Sequence, residues 1–299
     1  MIFEGCGVAL VTPFNSKNEV DYFELKRLIE FQIASGVRAI IILGTTGESS
    51  TISMKEREKI IKFSVFVSAG LVPIIVGCGS NSTETAKGFV LQAKRLGADG
   101  ALVVTPYYNK CNQDGLIVHY KTIANQSKFP IILYNVPSRT GVNIAPETAL
   151  KLSQNKYIVG IKEASGNFAQ ITKLLNILPP SFAVYSGDDS LTLSMLSLGA
   201  KGVISVTANA YPSMVQTLCD FAFKSDFLNA RRIHRELLSI NEALFLDVNP
   251  ICIKKYMNLL GFNVGKPRLP LLEANTIISK KLEKIKRQYE EVLWRLILV

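Results

Sequence analysis

Histidine is scarce in this sequence, which contains only two, His119 and His234. Both fall in segments with helical periodicity, away from the predicted strand ends, and we expect them on the surface. A histidine-based catalytic triad and a metal site are therefore not expected. Cysteine is also sparse, and its five positions are odd in number and lack zinc-ligand spacing. We interpret them as reduced side chains of a cytoplasmic protein.

Long apolar runs are missing as well. The two longest uncharged stretches, 64–83 and 202–219, are interrupted by glycine, proline, asparagine and hydroxyl residues, so neither predicts a membrane-spanning helix. The first 14 residues have no basic segment ahead of their apolar part, which is unlike a secretory leader. We therefore expect no association with a membrane.

The charge is unbalanced, with a formal net value of +10. A basic surface is typical of nucleic-acid binding, but here the cations are spread along helix-like segments. One denser patch is diluted by glutamates, and we interpret it as a solvated helix face rather than a nucleic-acid site. The net charge would also attract small anionic substrates. The patch comprises Lys280, Lys281, Lys284, Lys286 and Arg287.

What the sequence has in abundance is alternation between short apolar runs and helical periodicity. Apolar residues make up 48% of the chain, and about eight strand-then-helix units follow one another up to residue 206. Continuous apolar strands indicate a parallel sheet covered on both faces, and eight of them favour a closed (β/α)₈ TIM barrel. The strands are predicted at 8–12, 39–43, 73–76, 101–105, 131–135, 158–162, 183–186 and 203–206.

After Tyr211 and Pro212 only helical periodicity remains. We therefore predict a barrel over residues 1–212 that carries the active site, and a C-terminal helical extension over 213–299 that packs on it. The sequence suggests no function for the tail that runs from Trp294 to Val299.

Lys162 ends the predicted sixth strand, where active-site residues of such barrels occur. Alternation places Ile158, Gly160 and Lys162 on one face and Glu163 on the other, so Glu163 is not a close counter-ion. An amine with apolar neighbours loses solvation, which disfavours its charged form and suits attack on a carbonyl group. The alternative is a lysine that simply faces solvent at a strand end.

Polar side chains at other strand ends are expected at the same mouth. Tyr134 ends the fifth strand, roughly 5 Å from Lys162 if the two strands pair, and its phenol could transfer protons. The turn with Thr45 and Thr46 could bind a carboxylate through backbone amides, and Arg139 could bind one bidentately. Each also has a plain structural interpretation: a rim tyrosine, a connecting turn and an exposed arginine.

In sequence order, these segments resemble the dihydrodipicolinate synthase/N-acetylneuraminate lyase family, and its synthase branch more than its lyase branch. The likeness runs nearly end to end and rests on nine blocks in the correct order. They are GVALVTPF (7–14), GTTGES (44–49), TPYYN (105–109), YNVPSRTG (134–141), GIKEASG (160–166), YSGDD (185–189), GVIS (202–205), NP (249–250) and RLPL (268–271).

The resemblance implies a lyase that condenses pyruvate with L-aspartate 4-semialdehyde to 4-hydroxy-tetrahydrodipicolinate, in lysine and diaminopimelate biosynthesis. Lys162 would form a Schiff base with pyruvate, so that no cofactor or metal is needed. Thr45, Tyr134 and Tyr108 would relay protons, with Tyr108 supplied by a neighbouring subunit of a homotetramer, often a dimer of dimers. The implied substrate-binding residues are Thr46, Arg139, Gly187 and Ile204.

Two alternatives remain open from the sequence. One is a pyruvate-dependent lyase or aldolase of the same family that acts on a sugar acid, because both use imine chemistry. Arg139 favours the synthase, since the sugar-acid lyases usually lack an arginine here. The other is a barrel that binds pyruvate or another anion without turnover.

Regulation is expected to differ from that of lysine-inhibited family members. Their allosteric cleft uses histidine and glutamate side chains after strands two and three, where this chain has Met54, Arg57 and Thr85. Loss of acceptors and gain of a cation should weaken binding of an ammonium ligand, so we predict weak or absent lysine feedback. The cleft residues that remain are Ser50, Asn81 and Tyr107.

Overall fold

The structure is a computed structural model that describes the backbone of residues 1–297 and the side chains of residues 1–289. The tail from Trp294 to Val299 lies outside the described side chains.

Eight parallel strands form a closed barrel in which each strand pairs with the next and the last pairs with the first. The predicted (β/α)₈ TIM barrel is thereby confirmed. The strands are β1 (Gly5–Ala9), β2 (Ala39–Ile42), β3 (Ile74–Gly77), β4 (Gly100–Val104), β5 (Ile131–Asn135), β6 (Ile158–Glu163), β7 (Ala183–Ser186) and β8 (Gly202–Ser205).

Twelve α-helices occur among the described residues, and at least one follows each strand, with two between β5 and β6. The last four follow β8, and the division of the chain at residue 212 into a barrel and a C-terminal extension stays a prediction. The helices are α1 (Tyr22–Ala34), α2 (Met54–Ser68), α3 (Thr83–Arg95), α4 (Gln113–Ser127), α5 (Pro137–Thr140), α6 (Pro146–Ser153), α7 (Phe168–Ile177), α8 (Thr192–Ser197), α9 (Pro212–Phe223), α10 (Phe227–Ala243), α11 (Ile251–Leu259) and α12 (Thr276–Ile297).

The first strand begins three residues earlier than predicted. It contains Gly5 and Gly7, which have low strand propensity, and the apolar run that the prediction followed extends past its end. A Cβ atom at Gly7 would lie 2.8 Å from both the Phe3 ring and Ile41 Cδ1, so the space beside this strand is already filled by side chains.

An inner and an outer cluster of buried side chains form the core. Ile158 belongs to the outer cluster, which corrects the prediction that it shares a face with Lys162. The reason is a register shift, in which Ile131 pairs with Ile158 but Ile132 pairs with Gly160. This bulge inserts one residue into β6, and normal alternation resumes at Gly160.

His119 is buried, which corrects the prediction that both histidines lie on the surface. It is 4% exposed, and its Nδ1 lies 2.9 Å from the hydroxyl of Thr83. His234 is half-buried. Burial lowers the pKa of His119 to about 4, because the charged imidazole would lose its hydration.

Candidate active site

Lys162 lies at the carboxyl end of β6, directly beside Tyr134 of β5 in the sheet register. Its side chain is buried, with only 5% exposed, and Nζ lies 4.4 Å from the centroid of the Tyr134 ring. The ring supplies an apolar neighbour that covers the amine. The structure thus brings together the two side chains that the sequence placed side by side.

Asn135 follows Tyr134 and Glu163 follows Lys162 in the sequence. These two residues are hydrogen-bonded to each other on the opposite face of the strands. Asn135 Nδ2 donates to Glu163 Oε2 at 2.9 Å, and the backbone N–H of Ser165 donates to Glu163 Oε1 at 2.7 Å. Burial raises the pKa of Glu163 above its ordinary value, although these donors oppose the shift. Glu163 therefore acts as a link between β5 and β6 and not as the counter-ion of Lys162.

The turn after β2 presents Thr45 and Thr46. The N–H of Glu48 donates to the carbonyl of Thr45 at 3.1 Å, and Glu48 adopts a left-handed conformation with φ of 55°. Thr46 is only 3% exposed, and its hydroxyl accepts a hydrogen bond of 2.9 Å from Asn249 Nδ2. The turn is thus closed by a hydrogen bond of its own backbone and held by a side chain of the C-terminal extension.

A cavity of about 400 Å³ lies at the carboxyl ends of the strands and contains most of the predicted site residues. Its volume suits a small organic ligand. Those lining it are Thr45, Thr46, Tyr134, Arg139, Lys162 and Gly187. A nucleophilic amine, a phenol, two hydroxyls and a guanidinium that share one cavity suit addition of an amine to the carbonyl group of an anionic keto compound.

Arg139 is exposed to the cavity, and Nη2 donates to the backbone carbonyl of Asn249 at 3.4 Å. This single long bond leaves other N–H groups of the guanidinium available to a carboxylate. Arg139 therefore suits recognition of an anionic group at the cavity mouth.

Two predicted residues are not at this cavity. Tyr108 is 91% exposed and has a φ of 72°, so the chain presents its ring to the outside of the molecule. Ile204 is buried in the inner cluster, and Val206, just after β8, lines the cavity instead.

A second cavity of about 550 Å³ adjoins the first and shares Thr45, Tyr134, Arg139 and Asn249 with it. Its lining includes two of the three predicted cleft residues, Ser50 and Tyr107. It also includes the three positions at which this chain differs from lysine-inhibited family members, which are Met54, Arg57 and Thr85. Asn81 is not part of its lining, but its carbonyl accepts a hydrogen bond from Asn109.

Sequence reasoning missed the contribution of the C-terminal extension to the first cavity. The only signal was the two-residue block at 249–250, which carried no predicted role. The extension residues that line the cavity are Asn241, Glu242, Phe245 and Asn249.

Across the part of the chain that the structure describes, no three histidine, cysteine or carboxylate side chains converge to hold a metal ion. Among the same residues, no helix combines the length and apolar composition that crossing a membrane requires.

Comparison with known proteins is consistent with this geometry. The model of the dihydrodipicolinate synthetase family matches residues 2–289. The 4-hydroxy-tetrahydrodipicolinate synthase of Thermoanaerobacter sp. (strain X514) is 47% identical over 286 residues, which cover 95% of each chain. That of Alkaliphilus oremlandii is 45% identical over 288 residues, which cover 96% of this chain and 99% of the relative.

Solved structures agree in fold. The crystal structure of dihydrodipicolinate synthase from Aquifex aeolicus superimposes with a TM-score of 0.94 at 46% identity, and covers 96% of this chain and 98% of its own. The enzyme from Thermotoga maritima gives a TM-score of 0.95 at 42% identity, with 96% and 99% covered. Since both the family model and the full-length relatives match nearly the whole sequence, this chain belongs to the dihydrodipicolinate synthetase family.

Proposed function

We propose that the chain is a 4-hydroxy-tetrahydrodipicolinate synthase, a lyase that condenses pyruvate with L-aspartate 4-semialdehyde in lysine and diaminopimelate biosynthesis. The main support is the position of Lys162, which is buried at the mouth of the barrel with its amine 4.4 Å from the centre of the Tyr134 ring. Relatives that bear this name at 45–47% identity over nearly the whole chain support the assignment.

The reaction begins when the amine of Lys162 attacks the ketone carbon of pyruvate. The carbinolamine loses water to give an imine, and removal of a methyl proton turns the imine into an enamine. The enamine carbon attacks the aldehyde and forms the new carbon–carbon bond. The amino group of the second substrate then adds to the imine carbon and displaces Lys162, which closes the ring and frees the enzyme. The imine is the electron sink, so the chemistry requires no cofactor.

The protons move through hydroxyl groups. Tyr134 lies beside the amine and Thr45 lines the same cavity, so both suit a relay. Tyr108 is turned away from its own cavity and completes the relay of a second copy of the chain in a homotetramer arranged as a dimer of dimers. The left-handed backbone at Tyr108, which projects the ring outward, supports this part of the proposal.

Carboxylate recognition is divided between two residues that line the cavity. Thr46, in the turn after β2, binds the carboxylate of pyruvate, and Arg139 binds that of the aldehyde substrate. Gly187 and Ile204 contribute through their backbones. The widely spaced cysteines, which are free thiols, suit the cytoplasm as the place of the reaction.

Trapping with borohydride tests the assignment directly. Incubation with pyruvate and borohydride should add one reduced pyruvate to Lys162, as located by mass spectrometry of peptides, and Lys162→Met should show no adduct. Wild-type enzyme should then consume pyruvate with L-aspartate 4-semialdehyde but not cleave N-acetylneuraminate or keto-deoxy-gluconate. An adduct on another residue, or cleavage of a sugar acid as the main activity, contradicts the proposal.

A further inference from the structure

Asn249, in the C-terminal extension, contacts the turn after β2 through its side-chain amide. Nδ2 donates to the hydroxyl oxygen of Thr46 at 2.9 Å, and the two residues are 6% and 3% exposed. Both line the active-site cavity. An amide N–H can only donate, so the oxygen of Thr46 accepts here and its single hydroxyl proton remains free to be donated elsewhere. The contact thus sets Thr46 as a donor.

The other end of this amide points to a role beyond packing. Asn249 Oδ1 is buried and, among the described residues, receives no hydrogen bond. Leaving a buried acceptor unsatisfied costs about 1–3 kcal/mol, so native structures rarely keep one for stability alone. Among the described residues, the donation to Thr46 is thus the one hydrogen bond that the Asn249 side chain makes, and it is the polar contact that holds the amide in place.

The backbone around Asn249 is tied to the same site. Its carbonyl accepts from Arg139 Nη2, and Lys254, one turn into α11, forms a buried ion pair with Glu48 in the turn that carries Thr46. Lys254 Nζ lies 2.7 Å from Glu48 Oε1. The extension and the turn are thus joined at two points, which fixes the amide relative to the hydroxyl.

We propose that Asn249 is a positioning residue for pyruvate, which acts by directing the hydroxyl proton of Thr46 toward the pyruvate carboxylate. The inference rests on the proposed function, because it assigns a role within the same site. Its consequence is that Asn249 affects pyruvate only through Thr46, so the effects of changing the two residues should not add.

A double-mutant cycle tests this coupling. Asn249→Ala should raise the KM for pyruvate about tenfold with kcat changed less, since it removes the group that orients one neutral hydrogen bond. In a Thr46→Val background the same change should raise that KM less than about twofold, because no hydroxyl is left to direct. The pyruvate dependence of borohydride trapping, measured without aldehyde, gives a second readout of the same step.

Two further variants separate positioning from stability. Asn249→Asp has nearly the same shape, but its carboxylate only accepts hydrogen bonds and therefore takes the hydroxyl proton of Thr46 that would be donated to pyruvate. Its negative charge also repels pyruvate, so the variant should raise the KM for pyruvate about 10²-fold while keeping the fold. Asn258→Ala is the matched control, because it removes two 2.9 Å hydrogen bonds inside the extension, to Gly265 and Val264, away from the cavity. It should lower the melting temperature without raising the KM for pyruvate.

The outcomes distinguish the two proposals. If wild-type enzyme forms no pyruvate adduct, both the function and the role of Asn249 are wrong. If wild type forms the adduct but Asn249→Ala raises the KM as much with Thr46→Val as without it, only the role of Asn249 is wrong. A KM for pyruvate that Asn249→Ala leaves unchanged also overturns that role.

Discussion

The backbone of Gly187 lies against the side chain of Lys162. A Cβ atom at residue 187 would be 2.7 Å from Ala164 Cβ, closer than real Cβ contacts, and 3.0 Å from Lys162 Cε, tighter than most such contacts. The glycine thus leaves the space through which the lysine reaches the cavity. This relationship explains why the end of β7 carries no side chain at this place.

Gly187→Ala should therefore displace the Lys162 amine. A displacement on the order of 1 Å costs about 10²-fold in rate, and we expect pyruvate trapping by borohydride to slow by that factor. Gly88→Ala is the control, since a Cβ atom at this glycine of α3 would meet nothing within 4 Å. Equal trapping rates in the two variants would show that the glycine does not position the lysine.

Lys254 is buried and donates to Glu48 Oε1, to the carbonyl of Thr12 at 3.0 Å and to that of Lys266 at 3.1 Å. Lys254→Met should lower the free energy of unfolding by about 3–5 kcal/mol, because it leaves the carboxylate of Glu48 buried without its cation. Denaturant unfolding at pH 7 measures the loss.

The double variant Glu48→Gln with Lys254→Met is the matched comparison. It removes both charges while keeping the side-chain volumes, so it should recover most of the stability that Lys254→Met loses. A double variant that is less stable than Lys254→Met would contradict the assignment of the loss to an unpaired charge.

His119 should make the protein sensitive to acid. Burial lowers its pKa from 6.5 to about 4, so between these pH values the unfolded chain binds a proton that the folded chain does not. The contribution of His119 to the free energy of unfolding is fully present above pH 6.5. It is lost as the pH is lowered from 6.5 toward 4, by roughly 3 kcal/mol in total.

The comparison that isolates this group is His119→Gln, which retains a polar side chain but does not titrate. Free energies of unfolding measured from pH 7 to pH 4 should fall less steeply for the variant, while the other titrating groups contribute equally to both proteins. Parallel curves would show that His119 is not the source of the acid sensitivity.

Lysine feedback should be weak or absent. In the second cavity the Arg57 guanidinium lies 4.4 Å from the centre of the Phe89 ring, and Nε donates to Gln92 at 3.0 Å. A fixed cation at this place repels an ammonium ligand. Initial rates should not change with micromolar L-lysine, whereas Thr85→Glu combined with Arg57→Gln should bind it more tightly. Inhibition of the wild type at micromolar concentrations would refute the prediction.

The sequence predicted the barrel, and with it the proximity of Lys162 and Tyr134, because strand periodicity and parallel pairing are local patterns with a fixed geometry. It misjudged Ile158, since a bulge depends on how two strands fit and not on the periodicity of one. It also misjudged His119, because the helical pattern around this residue did not show that its ring faces α3.

Contacts from the C-terminal extension could not be read from the sequence. Asn249 and Thr46 are separated by 203 positions, and no periodicity relates them. A buried amide and a buried hydroxyl reveal their partners only when the packing of helices against strand ends is known.

The hydrogen bonds between the turn after β2 and the C-terminal extension have a consequence for synthesis on the ribosome, which proceeds from the N-terminus. The strands and most of their helices emerge first, but the side chains that hold Thr46 and Glu48, namely Asn249 and Lys254, are translated about two hundred positions later. The last strand of the barrel is therefore translated before the side chains that hold this turn in place.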